Sequence, residues 1–422
     1  MKKCIIFLLI FVAVHLQAQN NDFTYHDTET DDNDSTEVDS LSNDSISNAA
    51  NALPWPQNVR ARLTRLLQDD MFQTSQVGLQ VYDLSADSIL FSYNEKQTMR
   101  PASTMKMITA VAAIDKLGGG YQFRTSLYYS GGIINHTLKG NIYCVGGFDP
   151  RFNSDDMNAF IESIHRMGVD SILGNLVMDK SMKDDNLMGE GWCWDDDNPV
   201  LSPLVYGRKD QFDERFRQEL KDAGIVFVYN DSISRSVSGE KNHLCTRFHT
   251  IDQILMKMMK ESDNLYAESL YYQLAAASGN RPAKATDARN YIKQMVRKFG
   301  LDPSRYYFAD GCGLSLYNYV SPELEVAFLR YAYANSNIYL HLYPSLPVAG
   351  QNGTLRHRMR NSFTSGNVHA KTGTVTGVST LAGYCTASNG HVLCFSIMNQ
   401  GLMHERNGRS FQDRVCHALC QP

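Results

Sequence analysis

Three short stretches carry residue types that could do chemistry together: Ser103-Thr104-Met105-Lys106, Ser262-Asp263-Asn264 and Lys371-Thr372-Gly373. In the first, serine and lysine stand three residues apart, so on a helix both side chains lie on one face within mutual reach. Pro101 precedes them, at a position where proline is tolerated in a helix start. Residues 103–117 spell a helix that is apolar on nearly every face, and such a helix belongs in a protein interior. Lys106 is therefore expected to be buried. Burial disfavours the ammonium form and leaves a neutral amine able to act as base toward the serine hydroxyl. The positive end of the helix dipole would favour an oxyanion developing at Ser103. A capping serine followed by a surface lysine fits poorly, because Met105, Met107, Ile108 and Val111 surround that lysine.

The second stretch interrupts two helical segments, 251–259 and 265–274. A hydroxyl at Ser262 could relay a proton to a leaving amine, and the Asn264 amide could hold both the lysine and a substrate carbonyl. By itself the stretch reads better as an N-capping Ser-Asp pair. The third stretch ends a strand begun by Val368-His369-Ala370. Gly373 leaves room for a peptide to lie alongside as an added strand, and Lys371 and Thr372 could bind its terminal carboxylate. Each motif alone is weak. Their combination is what points to nucleophilic acyl transfer.

The elements that must position these groups follow from periodicity. A helix is expected over 58–71, strands over 77–84 and 88–93, and the apolar helix over 103–117. From 118 to 247 the texture changes to short strands, turns and one amphipathic helix at 157–167. Helices at 250–275 and 284–299, a loop-rich stretch at 309–322 and a helix near 323–335 precede three strands at 368–374, 381–386 and 391–398. A helix at 409–419 closes the chain. Helices, then a meander, then a returning helix indicate an α+β core interrupted by an insertion.

With its surroundings, the trio resembles the signature of penicillin-binding proteins and serine β-lactamases. It is most similar to the low-molecular-mass class C penicillin-binding proteins, peptidase family S13. The stretches that carry this resemblance are 101–106, Gly140-Asn141-Ile142-Tyr143 with Gly146-Gly147-Phe148-Asp149-Pro150, and Gly191-Trp192-Cys193-Trp194-Asp195-Asp196. Later ones are Leu346-Pro347-Val348-Ala349-Gly350 with Gly353-Thr354-Leu355, and 370–378. The similarity around them covers roughly residues 53–420.

The resemblance implies a β-lactamase/transpeptidase-like α+β fold, an antiparallel sheet flanked by helices with an inserted α/β accessory domain. The expected division is 53–117 with 248–422 for the peptidase domain and 118–247 for the insertion. The implied activity is that of a serine-type D-Ala-D-Ala carboxypeptidase, with endopeptidase action open beside it, on peptidoglycan stem peptides. β-Lactam antibiotics would acylate it; no cofactor and no metal is implied. Carried over residue by residue, Ser103 is the acylated nucleophile and Lys106 its base. Ser262 and Asn264 shuttle protons and orient substrate, and Lys371 and Thr372 grip the substrate carboxylate. The N–H groups of Ser103 and Thr374 form the oxyanion hole. Asp196 meets the amine of a diaminopimelate side chain. The family's Asp-Gly-Ser-Gly-Leu-Ser-Arg stands here as Asp310-Gly311-Cys312-Gly313-Leu314-Ser315-Leu316. Leu316 thus removes an arginine that in relatives helps hold the charged end of that side chain.

Composition narrows the field further. With 422 residues, 43% hydrophobic and 20% charged, the chain can bury a sizeable core. The formal net charge of −5 is uneven: residues 19–52 are acidic without a single Lys or Arg, and the remainder is close to neutral. That is no footprint for nucleic acid. Residues 1–18 read as a signal peptide, with Lys2-Lys3, an apolar run from Cys4 to Val14 and a small residue, Ala18, for cleavage. Residues 19–52 read as a disordered acidic tether, with no transmembrane anchor after cleavage and a periplasmic location. Cys416, His417 and Cys420 could suggest a metal, but i, i+4 spacing on a terminal helix without a second ligand pair reads as core packing. A β-lactamase would need an additional deacylating base, and Glu323 and Glu325 have no Asn four residues on. A lipase-like Gly-x-Ser-x-Gly is absent. A non-catalytic wall-binding relic would not need Ser103, Lys106, Ser262 and Lys371 intact.

Overall fold

The computed structural model describes residues 53–230 and 240–422. The segments read as signal peptide and tether lie outside the described residues. In chain order, the first elements are α1 (Gln57–Leu66), β1 (Gln76–Asp83), β2 (Ser88–Tyr93) and α2 (Met105–Leu117). Next come β3 (Gln122–Tyr129), β4 (Gly132–Ile134), β5 (Thr137–Lys139), β6 (Ile142–Val145), α3 (Ser154–His165), β7 (Ser171–Gly174) and β8 (Leu176–Asp179). They are followed by α4 (Phe212–Asp222), β9 (Val226–Tyr229), β10 (Asn242–Thr250), α5 (Ile251–Lys260), α6 (Asn264–Ala276) and α7 (Ala285–Lys298). The last are α8 (Pro322–Ala334), α9 (Ser336–Ser345), β11 (His369–Val375), β12 (Val378–Thr386), β13 (Val392–Gln400) and α10 (Glu405–Cys420).

Five strands form one antiparallel sheet in the order β11-β12-β13-β1-β2. Its two faces are covered by different cores, and alternation along each strand sorts side chains between them. Leu381 and Cys385 of β12, and Leu393, Phe395 and Ile397 of β13, pack toward α1 and α10. Ala382 and Tyr384, with Cys394 and Met398, face the larger core containing α2, α5, α6 and α8. With both faces covered, β12 is buried over eight consecutive residues. The strand begins at Val378, three residues before the periodicity placed it, because its opening residues Ser379 and Thr380 are polar yet buried and so read as lying outside a strand.

Helix α2 occupies the middle of the larger core. Every residue from Met105 to Ile114 is buried, so the prediction from its apolar circumference holds. Residues 102–104 form a short 3₁₀ turn ahead of it, so Ser103 stands on that turn and not in the α-helix proper. Two helices were not anticipated, α4 and α9. In α4 the stripe Phe212, Phe216 and Leu220 is narrow and flanked by charges; α9 carries Pro344 near its end.

Between α2 and α5 the chain builds two four-stranded sheets, β10-β3-β6-β8 and β4-β5-β7-β9, with parallel and antiparallel pairs in each. They enclose a third core with α3 and α4, centred on Phe152, Phe160, Phe212 and Phe216. Strand β3 leaves the helical core and β10 returns to it paired alongside, with Gln122 opposite Thr250. Stretch 146–150 rests on α6: Ser269 Oγ donates to Phe148 O at 2.5 Å and Gln273 Nε2 donates to Gly147 O. Nearby, His249 Nδ1 and Asp149 Oδ2 are 2.7 Å apart.

Candidate active site

The structure brings the three motifs into one cleft. Lys106 is fully buried, and its ammonium has three oxygen partners: Ser103 Oγ at 2.8 Å, Asn264 Oδ1 at 2.7 Å and Cys312 O at 2.9 Å. The 3₁₀ turn at 102–104 runs into α2 and places Ser103 and Lys106, three residues apart, on one side. Desolvation lowers the Lys106 pKa, while the neighbouring Cys312, Asp310, Glu268 and Asp263 pull the other way. A lysine so placed is within reach of deprotonation and already hydrogen-bonded to the hydroxyl it would activate.

Lys371 forms the second buried ammonium. It donates to Ser262 Oγ at 2.8 Å and to Thr372 O at 2.7 Å. Burial lowers its pKa well below the ordinary lysine value, and the charge of Lys106 adds to that. Thr372 Oγ1 donates to Thr354 Oγ1 at 2.7 Å. Thr354 had no role in the reading of the sequence, although it lies in one of the stretches that carry the family resemblance.

The Ser262-Asp263-Asn264 turn joins α5 to α6. Asp263 is the N-cap of α6, its side chain accepting from Tyr266 N, and Arg208 pairs with the same carboxylate. The capping reading is realised at Asp263, while the adjacent Ser262 and Asn264 turn toward the lysines. Ser262 has φ of 59° and Ala102, beside Ser103, has φ of 47°. Left-handed backbone at non-glycine residues costs energy and tends to cluster at functional sites.

Strand β11 forms the far wall of the cleft. Ala370 N donates to Pro347 O, away from β12. In an antiparallel strand alternate residues share a side, so the N–H groups of Thr372 and Thr374 also face the open edge. The strand passes Ser103 so closely that a Cβ at Gly373 would stand 2.8 Å from Ser103 N, 2.2 Å from Thr380 Oγ1 and 2.9 Å from Pro101 O. Glycine is thus required for approach to the nucleophile, a different reason from the substrate clearance inferred from sequence. Thr374 itself is exposed.

A loop behind Lys106 sets the position of Cys312 O. Asp310 is buried and accepts from Trp192 Nε1 (2.8 Å), Gly313 N (2.7 Å), Ser315 N (2.7 Å) and Asn318 Nδ2 (2.7 Å). Glu268 on α6 accepts from Gly311 N at 2.8 Å, and Thr109 Oγ1 on α2 donates to Gly311 O at 2.7 Å. Desolvation and then Asp310 push the Glu268 carboxyl up to about 8. Ligand atoms of Glu268, Asp310 and Cys312 lie within 4.8 Å of one another. The carboxylate oxygens already accept backbone and side-chain N–H groups, so the cluster works as a hydrogen-bonded brace rather than an open cation site. Cys416 and Cys420 are buried with Cys385 in the core under the sheet.

Asp196 is exposed, on the loop that Trp192 anchors to Asp310. Leu316 is 38% exposed at the other side of that anchor. Ser315 Oγ donates to Glu190 O at 2.6 Å, so the two stretches lie against each other.

A serine hydroxyl held by a buried amine, beside an open strand edge with free N–H groups and a second buried amine, is the equipment of an acyl-transfer hydrolase. The chain belongs to the D-Ala-D-Ala carboxypeptidase 3 (S13) family, whose model matches residues 59–207 and 200–419. It is 26% identical over 407 residues to D-alanyl-D-alanine carboxypeptidase DacB of Haemophilus influenzae, covering 76% of this chain and 84% of the relative. The crystal structure of penicillin binding protein 4 (dacB) from Haemophilus influenzae matches with a TM-score of 0.75 and 24% identity, over 85% of this chain and 98% of that one. Its complex with a novel β-lactam matches with a TM-score of 0.70 and 25% identity, over 86% and 100%.

Proposed function

We propose that the protein is a serine-type D-Ala-D-Ala carboxypeptidase that cleaves peptidoglycan stem peptides through an acyl-enzyme, is acylated by β-lactams and also acts as an endopeptidase on cross-links. The observation that carries this reading is the fully buried Lys106, 2.8 Å from Ser103 Oγ and 2.7 Å from Asn264 Oδ1. Ser103 Oγ attacks the carbonyl of the penultimate D-Ala while Lys106 takes its proton. The N–H groups of Ser103 and Thr374 stabilise the oxyanion, since donors aimed at developing charge act strongly in a water-poor cleft. The amide C–N bond then breaks, and Ser262, hydrogen-bonded to Lys371, passes a proton to the leaving amine. Lys371, Thr372 and, through it, Thr354 hold the substrate carboxylate. Water releases the acyl group by the same route in reverse. Asp196 meets the diaminopimelate amine.

Segment 118–247 is an inserted accessory domain within a peptidase domain of 53–117 and 248–422; its own core and the pairing of β3 with β10 at its neck support that division. Export by a signal peptide at 1–18, followed by a tether at 19–52, puts the enzyme in the periplasm. No helix among the described residues is long and apolar enough to cross a membrane. Labelling with a fluorescent penicillin tests the activity. Stoichiometric, Ser103-dependent labelling together with D-Ala release from a D-Ala-D-Ala peptide is the expected result. A folded protein that does neither is a binding relic, and the reading fails.

A further inference from the structure

A pocket of about 650 Å³ opens beside α5, between it and residues 150–153 and 207–208 of the inserted segment. Four cations line it: Arg151, Arg208, Lys257 and Lys260. Two are matched by acids, Arg208 by Asp263 and Lys257 by Glu261. Arg151 has no ion pair among the described residues. Lys260 donates only to neutral oxygens, Leu346 O and Asn352 Oδ1 (2.7 Å for the latter). Its half-buried amine has its pKa lowered by desolvation, as expected for a charge without an acidic partner. The pocket therefore carries positive charge that the fold does not neutralise.

Its place relative to the cleft gives that charge a purpose. Glu261, on its rim, directly precedes Ser262, whose hydroxyl accepts from Lys371. Lys260 holds Asn352, two residues before Thr354, the partner of Thr372. The pocket thus adjoins the residues that hold the leaving group's carboxylate. The side-chain-reading loop of Trp192 and Leu316 is reached through Cys312, which joins Lys106 from another quarter. A terminal D-Ala ends at Lys371 and Thr372 and needs nothing further. A cross-linked peptide continues past that point as a second stem bearing carboxylates of its own.

We infer that this pocket is a subsite for the carboxylate-bearing peptide attached to the leaving amine, and that it favours cleavage of cross-links over release of a terminal D-Ala. The inference rests on the acyl-transfer reading above. Arg151 makes charge-assisted contacts with a carboxylate of the leaving stem, and Lys257, shared with Glu261, adds its field beside it. Lys260 keeps the wall in place and contributes field.

The test compares Arg151→Glu and Lys257→Glu with the parent enzyme on three probes: a cross-linked stem-peptide dimer, the same dimer with every carboxylate of the leaving stem amidated except the one beside the scissile bond, and a monomeric D-Ala-D-Ala peptide. Either substitution is expected to lower kcat/KM on the dimer by about tenfold, mainly through KM, and to leave the monomer within about twofold. Amidation of the leaving stem should cost the parent a similar factor and the variants almost nothing. The difference should shrink in high salt, because the pocket is open to solvent. Equal losses on dimer and monomer, or parent rates indifferent to amidation, overturn the inference. Penicillin labelling of each variant checks that the cleft is intact. Loss of labelling in the parent itself would instead overturn the acyl-transfer reading.

Discussion

The centre of the cleft and the rim that carries Asp196 and Leu316 are built on different terms. At the centre, Lys106 and Lys371 are fully buried, and each donates to the backbone and to the side chain of another motif. Ser103, Asn264, Ser262 and Lys371 thus form one network drawn from three distant parts of the chain. At the rim, Asp196 is exposed, Trp194 is 86% exposed and Leu316 is 38% exposed. The centre departs from the family pattern at Cys312, which meets Lys106 only through its backbone carbonyl, whereas the rim has leucine in place of an arginine. A buried, mutually satisfied network penalises any single change with an unpaired group, which is costly out of water. An exposed rim residue can change with little effect on folding, so selectivity can vary where catalysis cannot.

The largest effect belongs to the centre. Ser103→Ala should abolish penicillin labelling and lower kcat on a D-Ala-D-Ala peptide by at least about 10⁴-fold, without loss of fold. Lys106→Arg should be almost as severe, since a guanidinium stays charged and cannot take the proton. Stoichiometric labelling of the alanine variant would show that the nucleophile lies elsewhere. Gly373→Ala comes next. Its methyl would stand 2.2 Å from Thr380 Oγ1 and 2.8 Å from Ser103 N, so β11 must move away from the nucleophile. A displacement of that kind at a reacting centre costs roughly 10²-fold in acylation rate. An unchanged acylation rate would mean that the strand has slack, and the contrast between a rigid centre and a tolerant rim would weaken.

How much of this could be read from the chain follows the same division. The chemistry of Ser103 and Lys106 is local, one turn of an apolar helix, and its spacing alone gave geometry and burial. The hold of Asn264 on Lys106 followed from the chemistry of an amide, whereas the pairing of Lys371 with Ser262 joins distant stretches of sequence and leaves no local signal. Asp310 and Glu268 escaped notice as braces because a buried carboxylate leaves no periodic signal. Thr354 was visible only as part of a matching stretch. The missed helix Phe212–Asp222 did have a signal, Phe212, Phe216 and Leu220 at four-residue spacing, hidden by the charges on its other faces.

The rim gives the next prediction. Leu316→Arg would supply a charge-assisted donor for the free carboxylate of a diaminopimelate side chain, typically worth about 1.5–3 kcal/mol. kcat/KM on such peptides should rise by roughly ten- to a hundredfold. Asp196→Asn should lower the preference for peptides that carry the amine by a smaller factor and leave a short neutral ester unaffected. Paired peptides with and without the amine and carboxylate measure both. If Leu316→Arg moves neither ratio, another residue fills the role, and the rim is less open to change than its exposure indicates.

The smallest effect tests whether the centre's buried carboxyl is neutral in the folded protein. Glu268 is fully buried, and desolvation followed by the proximity of Asp310 raises its pKa to about 8 from an ordinary 4.5. Between those values the native state holds a proton that the unfolded chain has released. This group's contribution to stability is therefore complete below about pH 4.5, drains as pH rises, and is gone above about pH 8. Glutamine imitates the protonated acid: its carbonyl can accept from Gly311 N, and its amide has no charge to lose. Glu268→Gln should therefore differ little from the parent in melting temperature near pH 5 and gain on it progressively toward pH 9. Taking the difference between the two curves removes the opposing contributions of Lys106 and Lys371, whose lowered pKa values make stability rise with pH. Leu316→Arg, at the rim, should show no such difference over the same range. A flat difference curve for Glu268→Gln would mean the carboxyl is ionised throughout, so that the loop carrying Cys312 is braced by a charge and Lys106 faces a full negative neighbour.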